Sequence, residues 1–482
     1  MNSANQLALA VICELASQSR GPHSLVVHLT QAMRQAILDG RLAGGATIPS
    51  TRTLAAATGI GRSSLVEVIE QLSMEGYLET RQGAATRVAV VDTALSTRDM
   101  LRSHSPVHSE RWALDDPPTA VTIRAFRTGL PDLRSFPSQE WATLVAKRCR
   151  HPISHDLSYA HQSGLPALRE ALLLHLRQSR GVQATADQVL IVPTAQAAFA
   201  ILTDACITAG DLAWVEDPGY PGIRSVLRSR GARIVARPVD HAGITLTELR
   251  GEQPKLIYTT PSHQFPTGVT MPLPRRLALL DYAAQSGSLV IEDDYDSEYQ
   301  YHGRPIASLQ GLDSQGCVAY VGTFSKTLAP GLRMAYMVVP KHWLGLVETI
   351  AAVCGYAVPV HLQLAMADFI NGGGFQRHLR RVTSEAGERI QLLAQTLRRA
   401  QEPRLEIPSP QGGLQMCVGW TGATPDTDAA RRLLEQGVTV LPLSTLCHGI
   451  PRQGFVLGVG LVPKEDIEKG CQRMLDTLGT LN

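Results

Sequence analysis

Lysine is scarce in this chain, closely spaced cysteines are missing, and there is neither a long apolar run nor a strong excess of charge. The eight cysteines lie at least 24 residues apart, which excludes a C-x-x-C zinc or redox pair and points to reduced thiols in a cytoplasmic protein. The net charge is +2, with 44% hydrophobic and 18% charged residues, a balance that excludes a disordered or acidic partner-binding protein. The apolar stretch Leu7–Leu15 is short, contains Glu14 and has no basic lead, so neither a signal peptide nor a membrane span is expected there. At 482 residues the chain has room for two or three domains.

Against this background one of the six lysines stands apart. An apolar strand carrying Val318, Tyr320 and Val321 runs into Gly322-Thr323-Phe324-Ser325-Lys326, and Arg333 follows seven residues after the lysine. Lys326 is the lysine placed at a strand end among hydroxyls. Partial burial would favour its neutral, nucleophilic amine, which can form a Schiff base with a carbonyl. Thr323, Ser325 and Arg333 would then be placed to bind a phosphate; the alternative is a surface loop lysine. Thirty-three residues upstream of Lys326, Leu289-Val290-Ile291 leads into Glu292-Asp293-Asp294-Tyr295-Asp296. A metal site is the competing reading of this cluster, but only His302 is near and no ligand spacing recurs, so no metal is expected.

Taken together these segments resemble the fold-type I aminotransferases. The resemblance implies pyridoxal phosphate as cofactor, with Lys326 as its Schiff-base lysine and Asp293 on the ring nitrogen, which must stay protonated for the ring to draw electrons. It further implies Tyr295 on the phenolic oxygen and Arg333 on the phosphate.

Residues 24–90 have a different character. Leu25, Leu29, Met33 and Ile37 recur at helical spacing, and Asp39-Gly40 ends that helix. Ser50 is positioned to cap a short helix, Thr58 to Gly61 form a turn, and Arg62–Glu75 makes a further helix whose buried side is Leu65, Val68, Ile69 and Leu72. Gly76–Gly83 and Thr86–Ala89 read as a strand, a turn and a returning strand. The first turn of the Arg62 helix is small and polar, as entry into a major groove requires. A small helical oligomerisation domain is the plainer alternative, and six arginines against five acids weaken a purely electrostatic case for DNA. The runs Ile37–Ala55 and Gly61–Gly83 resemble the GntR-type winged helix. The resemblance implies double-stranded promoter DNA as partner, with Ser50, Arg52, Arg62, Ser63, Ser64, Arg81 and Gln82 as contact residues; Ala84-Ala85 at the wing tip departs from the family pattern.

Residues 91–123 lose periodicity and are rich in Ser, Thr, Asp and Pro, as a linker would be. With 1–23 as an N-terminal extension and 124–482 as the cofactor domain, the whole resembles the MocR family of bacterial regulators. The implied fold class is α/β: an N-terminal winged helix-turn-helix, then a fold-type I transferase-like domain with a mixed sheet, flanking helices and a smaller C-terminal subdomain.

Within the second domain, Tyr159 matches a tyrosine that reaches the phosphate of the partner subunit, which implies a homodimer; a turn tyrosine is the alternative. His151, His155 and His161 are read as loop residues, because spacings of four and six with Pro152 between them fit no helical ligand pair. Thr194-Ala195-Gln196 opens a helix whose backbone N–H groups suit a phosphate, and Tyr220 matches the aromatic that stacks on the pyridine ring. The loop Thr260–Gly268 lacks the asparagine of the transaminases, with Phe265 before Pro-Thr-Gly. In Gly454–Val459, Val456 stands where transaminases carry the arginine that grips a substrate carboxylate, and losing that clamp should cost several kcal/mol. The expectation is therefore a regulator that senses an amine, an amino acid or a B6 vitamer, with at most weak transaminase turnover. An active aminotransferase with an N-terminal docking module is the rival.

Overall fold

The computed structural model describes residues 3–18, 25–80, 85–90, 125–150, 155, 157–158, 161–247, 251, 253–301 and 306–481. The chain divides into two compact units, Met1–Val107 and His108–Asn482. The segment read as a linker, together with Arg81, Gln82 and Tyr159, lies outside the described residues.

In the first unit the helix Leu25–Leu38 buries Leu29, Met33 and Ile37, as their spacing requires. Ser50 caps Thr51–Thr58 by accepting a hydrogen bond from the Thr53 N–H at 3.2 Å, and Gly59 ends the helix in the left-handed region at φ 72°. The helix Arg62–Met74 buries Leu65, Val68 and Leu72, while Ile69 is only half-buried. A short antiparallel pair, Leu78–Glu79 with Arg87–Val88, completes the winged-helix arrangement. The preceding loop braces that pair: Val88 N–H donates to the Ala46 carbonyl, and Ile48 N–H to the Thr86 carbonyl, both at 2.8 Å.

The region treated from sequence as an N-terminal extension contains a helix, Ser3–Gln18. Its Ala8, Ile12, Leu15 and Ala16 form one apolar stripe, and all four are buried in the same core as Leu29, Met33, Leu54 and Leu72. Ile12 is fully buried. Ile12→Ala should therefore destabilise this unit by about 2–5 kcal/mol. Hydrogen exchange of the Leu25–Leu38 amides measures this, and unchanged protection would mean the helix contributes nothing to the core.

The second unit is built on a mixed sheet of eight strands. Their spatial order is Val189–Val192, Ala335–Val338, Val318–Thr323, Leu289–Asp294, Leu256–Thr259, Leu212–Asp217, Arg233–Asp240 and Gly243–Ile244. Ala335–Val338 and Gly243–Ile244 run antiparallel to their neighbours and the other six strands are mutually parallel. The central strands are buried on both faces, which explains why they read as continuous apolar runs instead of alternating ones. Parallel strands all end at the same edge, and in open α/β sheets that carboxyl edge is where ligands bind. Thr194, Asp217, Asp293 and Thr323 lie at or just past such ends.

A smaller antiparallel sheet forms the C-terminal subdomain, with strand order Leu405–Glu406, Gln415–Trp420, Gly454–Gly458 and Leu441–Pro442. Its core packs on the 27-residue helix Gly374–Ala400 through Ile390, Leu393 and Leu397. Asp217, at the carboxyl edge of the large sheet, ties the two parts together by accepting from the His448 and Gly449 N–H groups at 2.8 and 2.9 Å. Among the described residues no helix is long and apolar enough to cross a membrane.

Candidate functional site

At the carboxyl edge of the large sheet is a cavity of about 490 Å³. Thr194, Ala195, Gln196, Tyr220, Asp293, Tyr295, Thr323, Ser325 and Lys326 all line it. Arg333 does not. It is solvent-exposed, in the left-handed conformation (φ 49°) that closes the turn Pro330–Leu332.

Strand alternation sorts the acidic cluster. Successive side chains of Leu289–Asp294 point to opposite faces, so Asp293 reaches the cavity while its neighbours are used for structure. Glu292 accepts from the Leu309 and Gln310 N–H groups at 2.7 and 2.9 Å. Asp294 pairs with the Arg180 guanidinium at 2.8 Å and accepts from the Tyr320 hydroxyl at 2.5 Å. Asp293 accepts from the Tyr258 hydroxyl at 2.5 Å. Burial pushes the Asp293 carboxyl up to about 7, against the opposing effect of that hydrogen bond.

Lys326 is held by the turn after Val318–Thr323, where buried Phe324 anchors the backbone by accepting from the Leu328 N–H at 2.8 Å. Its Nζ donates to the Gly129 carbonyl at 2.6 Å. Burial lowers the amine's pKa, opposed by Asp296 and Asp293, and so favours the neutral nucleophile. The Tyr295 hydroxyl and the Asp296 carboxylate each lie 3.1 Å from His263 Nδ1. Aromatic edges continue around the wall: Tyr220 meets Phe199 at 6.4 Å and Phe265 at 5.8 Å, and Phe265 meets Tyr295 at 6.0 Å, measured between ring centroids.

These residues fit pyridoxal phosphate. The helix Ala195–Cys206 begins at the cavity, and its first N–H groups have no acceptor within the helix. The Thr194 and Thr323 hydroxyls accept from the Ala197 and Ser325 N–H groups at 3.0 and 3.1 Å, which leaves their O–H groups, the Ser325 hydroxyl and the first backbone N–H groups of the helix to donate to an anion. Gln196 Oε1 is buried on the same wall without a hydrogen-bond partner. A Cβ on Gly222 would come within 2.3 Å of Gln196 Nε2 and 2.4 Å of the Tyr220 ring, so glycine there keeps both side chains in place.

Comparisons with known proteins bear on both units. The model for aminotransferase class I and II matches residues 130–473, and that for bacterial regulatory proteins of the gntR family matches residues 25–88. The probable rhizopine catabolism regulatory protein MocR of Rhizobium meliloti is 37% identical over 446 residues, covering 90% of this chain and 90% of the relative. The chain belongs to the MocR-type transcriptional regulators. Another such regulator, the pyridoxine biosynthesis regulator PdxR of Corynebacterium glutamicum, is 28% identical across 91% of this chain and 92% of its own length. Among solved structures, the α-aminoadipate aminotransferase LysN of Thermus thermophilus, complexed with N-(5'-phosphopyridoxyl)-L-leucine, superposes with a TM-score of 0.68 at 27% identity. It covers 73% of this MocR-type chain and 91% of LysN.

Several residues at the site had no local sequence signal. Tyr258 comes from a neighbouring strand, His263 from a loop, and Gln415 from the C-terminal subdomain. Only the alternation in Leu256-Ile257-Tyr258-Thr259, which sets Tyr258 on one face, could have suggested the first.

The raised Asp293 carboxyl has a consequence for stability. Its pKa in the folded, cofactor-free chain (about 7) lies above the ordinary 3.8, so the penalty for burying the charge is absent below pH 3.8 and complete above 7. Asp293→Asn should therefore stabilise the cofactor-free protein at neutral pH, with the gain vanishing near pH 4. Thermal unfolding across that range checks it, and a gain independent of pH would remove the electrostatic explanation.

Proposed function

We propose that this chain is a cytoplasmic, dimeric transcription factor that holds pyridoxal phosphate on Lys326 and changes its DNA binding in response to an amine, an amino acid or a B6 vitamer. The observation carrying this reading is the convergence of Lys326, Asp293, Tyr295 and the Ala195–Cys206 N-terminus on one cavity, in a chain whose Val456 is fully buried. When bound, the cofactor supplies an electrophilic carbon and an electron-withdrawing ring. Lys326 holds it, Asp293 keeps a proton at the ring nitrogen, Tyr295 donates toward the phenolic oxygen, and Tyr220 covers the ring. Ala195, Gln196, Thr323 and Ser325 would hold the phosphate, and the family resemblance adds Arg333 and Tyr159 of the partner subunit. Arg333 would turn inward from its exposed position when the anion is present. Domains at 24–90 and 124–482, joined by 91–123, carry the two activities.

On the DNA side, Ser50, Arg52, Arg62, Ser63, Ser64, Arg81 and Gln82 form the reading surface. Arg52, Arg62 and Ser63 are exposed and Ser64 is half-buried, at the starts of Thr51–Thr58 and Arg62–Met74. Relatives named for rhizopine catabolism and pyridoxine biosynthesis support a small-molecule signal. A second reading, an aminotransferase that turns over, draws on the same Asp293, Tyr295 and Lys326. Val456 counts against it, because a buried valine paired with Leu441 and Cys417 offers a substrate carboxylate nothing to bind.

Three measurements test these assignments. Borohydride reduction of the yellow protein should place the pyridoxyl group on the Lys326 peptide alone, and a labelled Lys255 or Lys341 would reject the lysine. Arg62→Ala should weaken operator binding by about 1–3 kcal/mol and relax preference at one base pair if it reads a base. Unchanged binding in both Arg62→Ala and Arg52→Ala would favour a docking module. Finally, multiple-turnover assays with common amino donors and keto acids should yield rates far below 1 per second, whereas sustained rates on the order of 1 per second or more would promote the aminotransferase.

A further inference from the structure

The cavity extends past Lys326, and its outer wall has a composition of its own. Phe265 contributes from the large-sheet side, and Leu414, Leu441 and Leu446 from the C-terminal subdomain. Leu414 and Leu446 are buried, at 7% and 2% exposure. Leu441 pairs with the fully buried Val456, so the wall belongs to the C-terminal sheet. Among the described lining residues Lys326 is the sole cation, and the carboxylates there are Asp293 and Asp296. The nearest arginine in sequence to that strand, Arg452, is solvent-exposed and does not line the cavity.

One polar group on this wall is an amide. Gln415 lines the cavity, is 6% exposed, and its side-chain amide faces the Tyr295 hydroxyl. A buried amide donor can satisfy one neutral oxygen, but it cannot offset the desolvation of a carboxylate. Apolar surface from three leucines and a phenylalanine rewards burial of hydrocarbon instead.

We propose that the effector is a primary amine with an uncharged, largely apolar body, carrying at most a neutral oxygen for Gln415 and no carboxylate. This rests on the sensing reading above and narrows it. The effector's amine would replace the Lys326 amine on the cofactor's carbonyl carbon, releasing Lys326 as a free amine, and the body would occupy the chamber between Phe265 and the three leucines.

The test uses full-length protein loaded with pyridoxal phosphate and three amines of closely similar basicity: hexylamine, 6-amino-1-hexanol and 6-aminohexanoate. Visible absorbance and operator binding are followed together. Hexylamine and aminohexanol should half-saturate the spectral change at concentrations at least tenfold below aminohexanoate, with a parallel change in DNA binding. Leu441→Arg should narrow or reverse that ordering while the protein stays yellow; the wild-type ordering carries the test if this variant loses its colour. Equal response to aminohexanoate, or preference for it, in the wild type overturns the inference and leaves sensing intact. A yellow protein whose spectrum and DNA binding respond to none of the three overturns this inference. If a wider set of amino acids and B6 vitamers is silent too, the sensing reading falls with it.

Discussion

Two ionisable groups of opposite sign, Asp293 and Lys326, share one desolvated cavity, and the rest of the site is arranged around that cost. Burial works against both charges, raising the carboxyl to about 7 and lowering the amine. Neither group is left bare. Tyr258 donates to the carboxylate, and the Gly129 carbonyl accepts from the amine. The Tyr258 hydrogen bond favours the carboxylate that a positively charged ring nitrogen needs, and burial favours the neutral amine that an electrophilic carbonyl needs, the two features that pyridoxal phosphate brings.

The parallel sheet makes this possible. Six parallel strands end at one edge, so residues far apart in sequence, such as Thr194, Asp293 and Thr323, meet there without long connections. Period-two alternation then divides labour within a single strand. Asp293 faces the cavity, while Glu292 and Asp294 take backbone N–H groups and Arg180. Of the four carboxylates in this cluster, Asp293 and Asp296 face the cavity and Glu292 and Asp294 hold the surrounding structure.

The C-terminal subdomain supplies Leu414, Gln415, Leu441, Thr445 and Leu446 to the cavity wall. Val456 is buried within its sheet, and the neighbouring strands contribute leucines and the Gln415 amide. On the proposed function, Lys326 and Asp293 without a carboxylate clamp would separate capture of an amine from its efficient conversion. That separation suits a regulator, since occupancy can report concentration only if the ligand is not consumed faster than it binds.

Much of this was legible in the sequence because the decisive residues sit at places with strong local rules. Lys326 and Asp293 follow apolar strands, Ser50 precedes a helix, and Gly59 ends one; such positions are set by backbone chemistry over a few residues. The Ser3–Gln18 helix had its signal too, in the spacing of Ala8, Ile12, Leu15 and Ala16, but a run so short reads as a helix only when the surface it packs against is known. What the tertiary structure alone decided were the partners supplied from elsewhere: Tyr258 behind Asp293, His263 beside Tyr295, Gly129 on Lys326 and Gln415 on the outer wall. These contacts span from about thirty to nearly two hundred residues of chain. No local pattern encodes them, because they arise from strand order and from the packing of one subdomain on another.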